Sequence, residues 1–197
     1  MKILSQALTA TAMAVCLVIP ATSMAAGSQV TAGVNSASGK IYVNSTLYTL
    51  SGTGAHISAD IAVGEKLGFM LSSRSASPSS TDKSIDFMDV GVRYRLGEDT
   101  STYFSSNRTK VGSNSETLMM LGAMHHISTG EASSLALKIG TSTSNMFDDL
   151  EVGLDFNVGL MDALVLNIGY QSTTTTLAKT STKATSSSFN VSIGAQF

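Results

Sequence analysis

Apolar and polar residues alternate one by one along much of this chain, the period of a β-strand with two unlike faces. The stretch from Leu150 to Leu160 is the clearest case. Leu150, Val152, Leu154, Phe156, Val158 and Leu160 make one face; Glu151, Gly153, Asp155, Asn157 and Gly159 make the other. After Met161-Asp162-Ala163, a tight hairpin link, Leu164, Leu166, Ile168 and Tyr170 resume the apolar face, with Asn167 and Gly169 opposite. Ala55 to Val63 alternates around His56, Ser58 and Asp60, and Gly64-Glu65-Lys66 turns it into Leu67 to Ser73. Met88, Val90, Val92, Tyr94 and Leu96 oppose Asp89, Gly91, Arg93 and Arg95. Further runs lie near Thr102 to Lys110, Thr117 to Ile127 and Leu135 to Ser142. At the end, Phe189, Val191, Ile193, Ala195 and Phe197 alternate with Asn190, Ser192, Gly194 and Gln196.

The links fall into two classes. Gly64–Lys66, Gly97–Ser101, Ser128–Ala132 and Met161–Ala163 are short. Ser75–Lys83, Val111–Glu116, Thr143–Asp149 and Ser172–Ser186 are mostly longer and rich in Ser, Thr, Asn and Asp. The two classes alternate, as expected when short turns face the periplasm and longer loops face outward. Counting back from Phe197 gives ten strands if Ile41–Leu50 is the first. Val30, Ala32 and Val34 offer another first strand, with Ile41–Leu50 folded into a long loop, and that count is also ten. If Thr102–Lys110 and its flanks lie outside the membrane, the count is eight.

Composition says which face meets what. Charged residues make up 13% of the chain, about half the soluble average, while no run in the mature chain approaches the roughly 20 apolar residues of a transmembrane helix. Low charge without a long apolar run fits a membrane β-barrel, where every second residue faces lipid. A secreted sandwich or lipocalin-like barrel would place its apolar face inside, yet here the opposing Gly, Asn, Asp and Arg are too polar for a dry core. An open sheet in hydrocarbon leaves its edge groups unpaired, at several kcal/mol each, so the first strand must close on Phe189–Phe197. The expected fold is all-β: a closed, antiparallel, up-and-down transmembrane barrel. A net charge of −2 with no Lys/Arg cluster gives no sign of a nucleic-acid partner.

The start of the chain agrees. Met1-Lys2 is followed by an uncharged apolar run from Ala7 to Ile19, then Pro20 and the small residues of Ser23-Met24-Ala25. This is a secretory signal peptide over residues 1–25, cleaved after Ala25, leaving one barrel domain at 26–197. Cys16 raises a lipoprotein reading, but Val15 stands where a lipobox needs a small residue. With Cys16 removed the mature chain has no thiol chemistry.

Candidate chemistry is confined to the polar face. Asp60, Asp89, Arg93, Arg95, Lys138, Glu151 and Asp155, with Arg74, point inward. They either line a pore and set its ion preference or pair with one another and fill a narrow lumen. The two signs are nearly balanced, which favours the filled lumen. His125-His126 cannot chelate one ion together, because adjacent strand residues face opposite sides. Asp148-Asp149 is read as a solvated loop tip, and Gln171 to Ser188 as a mobile external loop whose Lys179 and Lys183 can meet lipopolysaccharide phosphates. Tyr94, Tyr170, Phe156 and Phe197 suit interfacial aromatic belts. Asn44-Ser45-Thr46 matches a glycosylation acceptor but is uninformative in a bacterial-type export context. No catalytic, cofactor or metal site emerges, and the expectation is a non-enzyme.

An apolar strand running to a final aromatic residue resembles the C-terminal strand of bacterial outer-membrane barrels, whose terminal Phe helps the assembly machinery recognise them. The signal peptide, amphipathic strands, alternating links and terminal Phe197 together resemble the small OmpA-like and opacity-type, porin-like barrels. The resemblance implies a Gram-negative outer-membrane location, with outer-membrane lipids, lipopolysaccharide and the barrel assembly machinery as partners. Phe189, Val191, Ile193 and Phe197 would form the assembly signal, and no periplasmic domain is expected after the barrel. It also implies a structural or surface-interaction role through external loops, or alternatively a narrow channel for small solutes or ions. Oligomeric state is left open.

Overall fold

The computed structural model describes residues 27–78, 83–143, 149–161, 163–177 and 182–197. The expected signal peptide at residues 1–25, Cys16, Asp148 and Lys179 lie outside the described residues. Ten strands run in chain order: β1 Gln29–Val43, β2 Thr46–Val63, β3 Leu67–Ala76, β4 Ile85–Arg95, β5 Thr100–Val111, β6 Asn114–Gly130, β7 Ser133–Ser142, β8 Leu150–Met161, β9 Leu164–Leu177 and β10 Thr182–Gln196. Each pairs antiparallel with its sequence neighbour, and β1 closes on β10. The closing register runs from Gln29 opposite Gln196 to Gly39 opposite Ser186. The seam continues to the last residue: Gly27 N–H donates to Phe197 O at 2.8 Å, and Phe197 N–H to Ser28 O at 2.9 Å. Closure leaves no edge, which is what a sheet in hydrocarbon requires.

The alternation places apolar residues outside. Leu150, Val152, Leu154, Phe156 and Leu160 of β8 are exposed, as are Phe69, Leu71, Val90, Val92, Leu121, Ile139 and Ile193 around the wall. Glu151, Arg93, Asn167, Asn190 and Ser192 are buried on the inner face. Ten residue steps along β8, at about 3.3 Å each and tilted about 40°, give an apolar band roughly 25 Å tall. Tyr170 and Phe189 are cross-strand partners at its upper margin, and Tyr94 and Phe197 sit near the rim that carries both termini. Phe156 instead pairs with Leu135 and Ile168 inside the band.

Above that margin the two faces exchange character. On β1, Ser36, Ser38 and Lys40 turn outward and exposed, while Ala37, Ile41 and Val43 turn inward. Thr49 and Ser51 of β2, Asp86 of β4 and Lys110 of β5 are likewise outside. Tyr48, Leu50, Ile85 and Val111 are buried with Ala37, Ile41 and Val43 in one apolar cluster. The barrel therefore has an inside-out half and, nearer the loop rim, a half with an ordinary apolar core.

This inversion corrects three readings of the sequence. Ile41–Leu50 is neither the first strand nor a long loop. It is the meeting of β1 and β2 at Asn44-Ser45, whose φ values of 49° and 64° make the left-handed turn that suits a two-residue hairpin. Val111–Glu116 is not a long link either, since Val111 pairs with Asn114 across Gly112-Ser113, with Gly112 at φ 58°. Nor is Gln171–Ser188 a loop. Thr182 to Ser188 pairs residue for residue with Leu177 to Gln171, because backbone pairing needs no apolar side chains and β-branched threonine favours extended backbone.

The faces are testable. Leu154→Arg should destabilise the barrel by about 2–4 kcal/mol, the cost of a cation on the lipid face near mid-bilayer. Met70→Lys, which points to the lumen opposite Asp60, should cost much less. Urea unfolding in lipid vesicles measures both, and equal losses would show that the faces are misassigned.

Candidate functional site in the barrel lumen

The lumen is crossed by a layer of ion-paired side chains. Lys138 extends from β7 opposite Gly153 of β8, where the missing side chain leaves it room. Its Nζ lies 2.5 Å from Glu151 Oε1 and 3.5 Å from Asp89 Oδ2. Glu151 is fully buried, and its other oxygen accepts a hydrogen bond from Asn107 Nδ2 at 3.1 Å. The Lys138 ammonium also sits 4.6 Å from the Tyr103 ring centroid, a favourable cation–π placement. Tyr103 itself lies over Gly122 and Gly140, paired across β6 and β7, where a side chain at either glycine would strike its ring. Arg74 completes the layer: Nη1 donates to Ser188 Oγ at 2.7 Å, and the guanidinium lies 5.5 Å from the Phe87 ring.

Nearer the terminal rim, Arg93 Nε binds Asp60 Oδ1 at 2.8 Å. Arg93 of β4 thus pairs with Asp60 of β2 and not with Asp89, Glu151 or Asp155. Arg95 is exposed at the end of β4, outside the buried network. Asp155 is hydrogen-bonded to Asn167 within an amide ladder that charge-based reasoning missed. In that ladder Gln29 Nε2 and Asn167 Nδ2 both donate to Asn157 Oδ1, at 3.1 and 3.0 Å. Asn190 Nδ2 in turn donates to Asn167 Oδ1 at 2.9 Å. Its signal was an amide at an inward position on three successive strands.

The remaining candidates separate. His126 faces the lumen beside His56 and Asp60, whereas His125 faces out and contacts Thr100 Oγ1 through Nδ1 at 3.0 Å. The two therefore share no ligand. Asp149 is not a solvated loop tip: it is 2% exposed, and its Oδ1 accepts the Thr176 N–H at 2.7 Å. It ties the β7–β8 link to β9.

The layer divides the lumen into two cavities, of about 290 Å³ toward the loop rim and about 190 Å³ toward the termini. Arg74, Asp89 and Gln171 line both, so the partition is one side-chain layer thick. Lys138→Met would leave Glu151 and Asp89 buried without their cation, at a cost of about 3–5 kcal/mol. Adding Glu151→Gln should recover part of that loss. Unfolding midpoints in detergent check this, and a Lys138→Met protein as stable as the parent would contradict the pairing.

No family model matches the chain, and no curated protein sequence matches it. Solved structures do. The translocator domain of autotransporter NalP from Neisseria meningitidis is 12% identical, with 98% of this chain and 95% of that chain covered at a TM-score of 0.51. Neisserial surface protein A is 12% identical, covering 87% of this chain and 98% of its own at 0.45. Ail, the attachment invasion locus protein of Yersinia pestis, is 14% identical, covering 88% and 100% at 0.40. At 12% identity the likeness to the translocator domain is one of fold. That fold is the small bacterial outer-membrane β-barrel.

Proposed function

We propose that the protein is a non-enzymatic barrel of the bacterial outer membrane. Its lumen is sealed by charged side chains, and it acts through the wall and rim that rise above the bilayer. The carrying observation is the Asp89–Lys138–Glu151 group, which has cavities on both sides and a carboxylate with no exposure. An open path would keep these groups in water. Outside, Lys40, Arg108, Lys110 and Lys183 are exposed above the apolar band, where lipopolysaccharide phosphates would meet them. Both termini and the links after β2, β4, β6 and β8 share one rim, which suits a periplasmic face.

Purified, refolded protein in planar bilayers should show negligible conductance. The alternative is a narrow channel for small solutes or ions. It is favoured by the thinness of the partition, since displacement of Arg74 would join the two cavities. A reproducible open conductance from the unmodified protein would decide for that channel.

Assembly gives a separate test. Phe197 closes the seam at the terminal rim, and we assign to it, with Phe189, Val191 and Ile193, recognition by the assembly machinery. Phe197→Ser should leave export to the periplasm intact while heat-modifiable, membrane-embedded protein falls sharply. Normal insertion would remove that role.

A further inference from the structure

The outer cavity has a chemistry that sealing does not require. Part of the wall is apolar, with Ile41, Leu50, Phe87, Leu118 and Met120; the part formed by β9 and β10 is hydroxylic, with Thr173, Thr175, Ser186 and Ser188. At the floor, Asn35 Nδ2 is committed to Ser75 O at 3.1 Å and Asn107 Nδ2 to Glu151 at 3.1 Å. Those commitments fix both amides, so each carbonyl oxygen is the free end. Among the described residues, Asn35 Oδ1, Asn107 Oδ1 and Thr175 Oγ1 are buried without a hydrogen-bond partner, and all three residues line this cavity. A buried acceptor left unmade is costly, and three around one space ask for a donor-bearing occupant.

Charge narrows the class. Arg108 on the wall and Arg74 at the floor oppose a cation. Asp89 beside it, and Asp149 and Glu116 on the walls, oppose an anion. The cavity reaches the rim at Asn44, Ser45 and Leu177 and, at about 290 Å³, stands at the small end of ligand sites. We infer that the outer cavity binds a small, uncharged polyhydroxyl molecule of monosaccharide size. Its hydroxyls would donate to Asn35, Asn107 and Thr175 once small rotations turn those buried oxygens to the cavity surface, and its C–H face would rest on the apolar wall. The apolar wall separates this site from a merely hydrated hole, since water gains nothing from Leu50, Phe87 or Met120. The inference stands whether or not the layer below conducts.

The test is saturation-transfer NMR on refolded protein in detergent, with glucose as the neutral probe, galacturonate as the anion and hexylammonium as the cation. Glucose should bind saturably. Thr109→Phe on β5 and Ser186→Phe on β10 fill the cavity from opposite walls and should each abolish binding. If one fails to fold by heat-modifiable electrophoresis, the other decides. Thr175→Val removes only an unpartnered hydroxyl and should weaken binding roughly fivefold, the effect of one neutral hydrogen bond. Ser58→Ala, in the inner cavity, should leave it unchanged. Absence of saturable glucose binding overturns the inference, as does binding that survives both cavity-filling variants. Galacturonate or hexylammonium binding in preference to glucose overturns the ligand class.

Discussion

Hydrocarbon offers no hydrogen bonds, so every peptide group of a membrane-crossing sheet must find its partner within the sheet. The pairing of β1 with β10 meets that demand. Without it, N–H and C=O groups along Gln29 to Gly39 and Ser186 to Gln196 would be left unpaired, most of them against lipid. Once the sheet is closed, the pleat does the rest: each residue is committed to lipid or lumen, and a shift of one position would exchange the whole set.

That commitment forces polar side chains into a confined interior, where each needs a partner. The protein answers in two ways. At mid-height, opposite charges from β4, β7 and β8 converge on Lys138, with Gly153 leaving space for the lysine stem and the Gly122–Gly140 pair for the Tyr103 ring. Nearer the terminal rim, neutral amides from β1, β8, β9 and β10 bond one another. Above the bilayer the solvent outside becomes water, and an apolar core returns around Val43, Leu50 and Ile85.

The same change of surroundings explains how far the sequence could be read. Where the wall faces lipid, as on β8, contrast between neighbouring residues is large, and both the strand and its faces were legible. The tenfold strand number followed, and the closed sheet bears it out. At the membrane margin the phase of the pattern reverses, so Ile41 to Leu50 read as a separate unit instead of two strand ends joined at Asn44-Ser45. Higher on β9 and β10, Thr and Ser occupy both faces and no period remains, though the backbone pairs as well as elsewhere. The inward direction of Asp60, Asp89, Arg93, Lys138, Glu151 and Asp155 was legible from parity alone. Their pairings were not, because contacts across a barrel depend on height and stagger. Arg93 meets Asp60 from a non-adjacent strand, while Arg95, two residues further on, has already reached the rim.

The central claim is that lipid lies outside the β8 face carrying Leu154 and not outside the face carrying Asp155. The one cysteine of the chain is Cys16, in the expected leader, and a Cys16→Ala background lets single cysteines at each position from 150 to 160 carry a spin label in vesicles. Collision with oxygen, which concentrates in lipid, should peak at 150, 152, 154, 156, 158 and 160 and fall at the positions between. A profile without that two-residue period, or one peaking at the odd positions, would contradict the account.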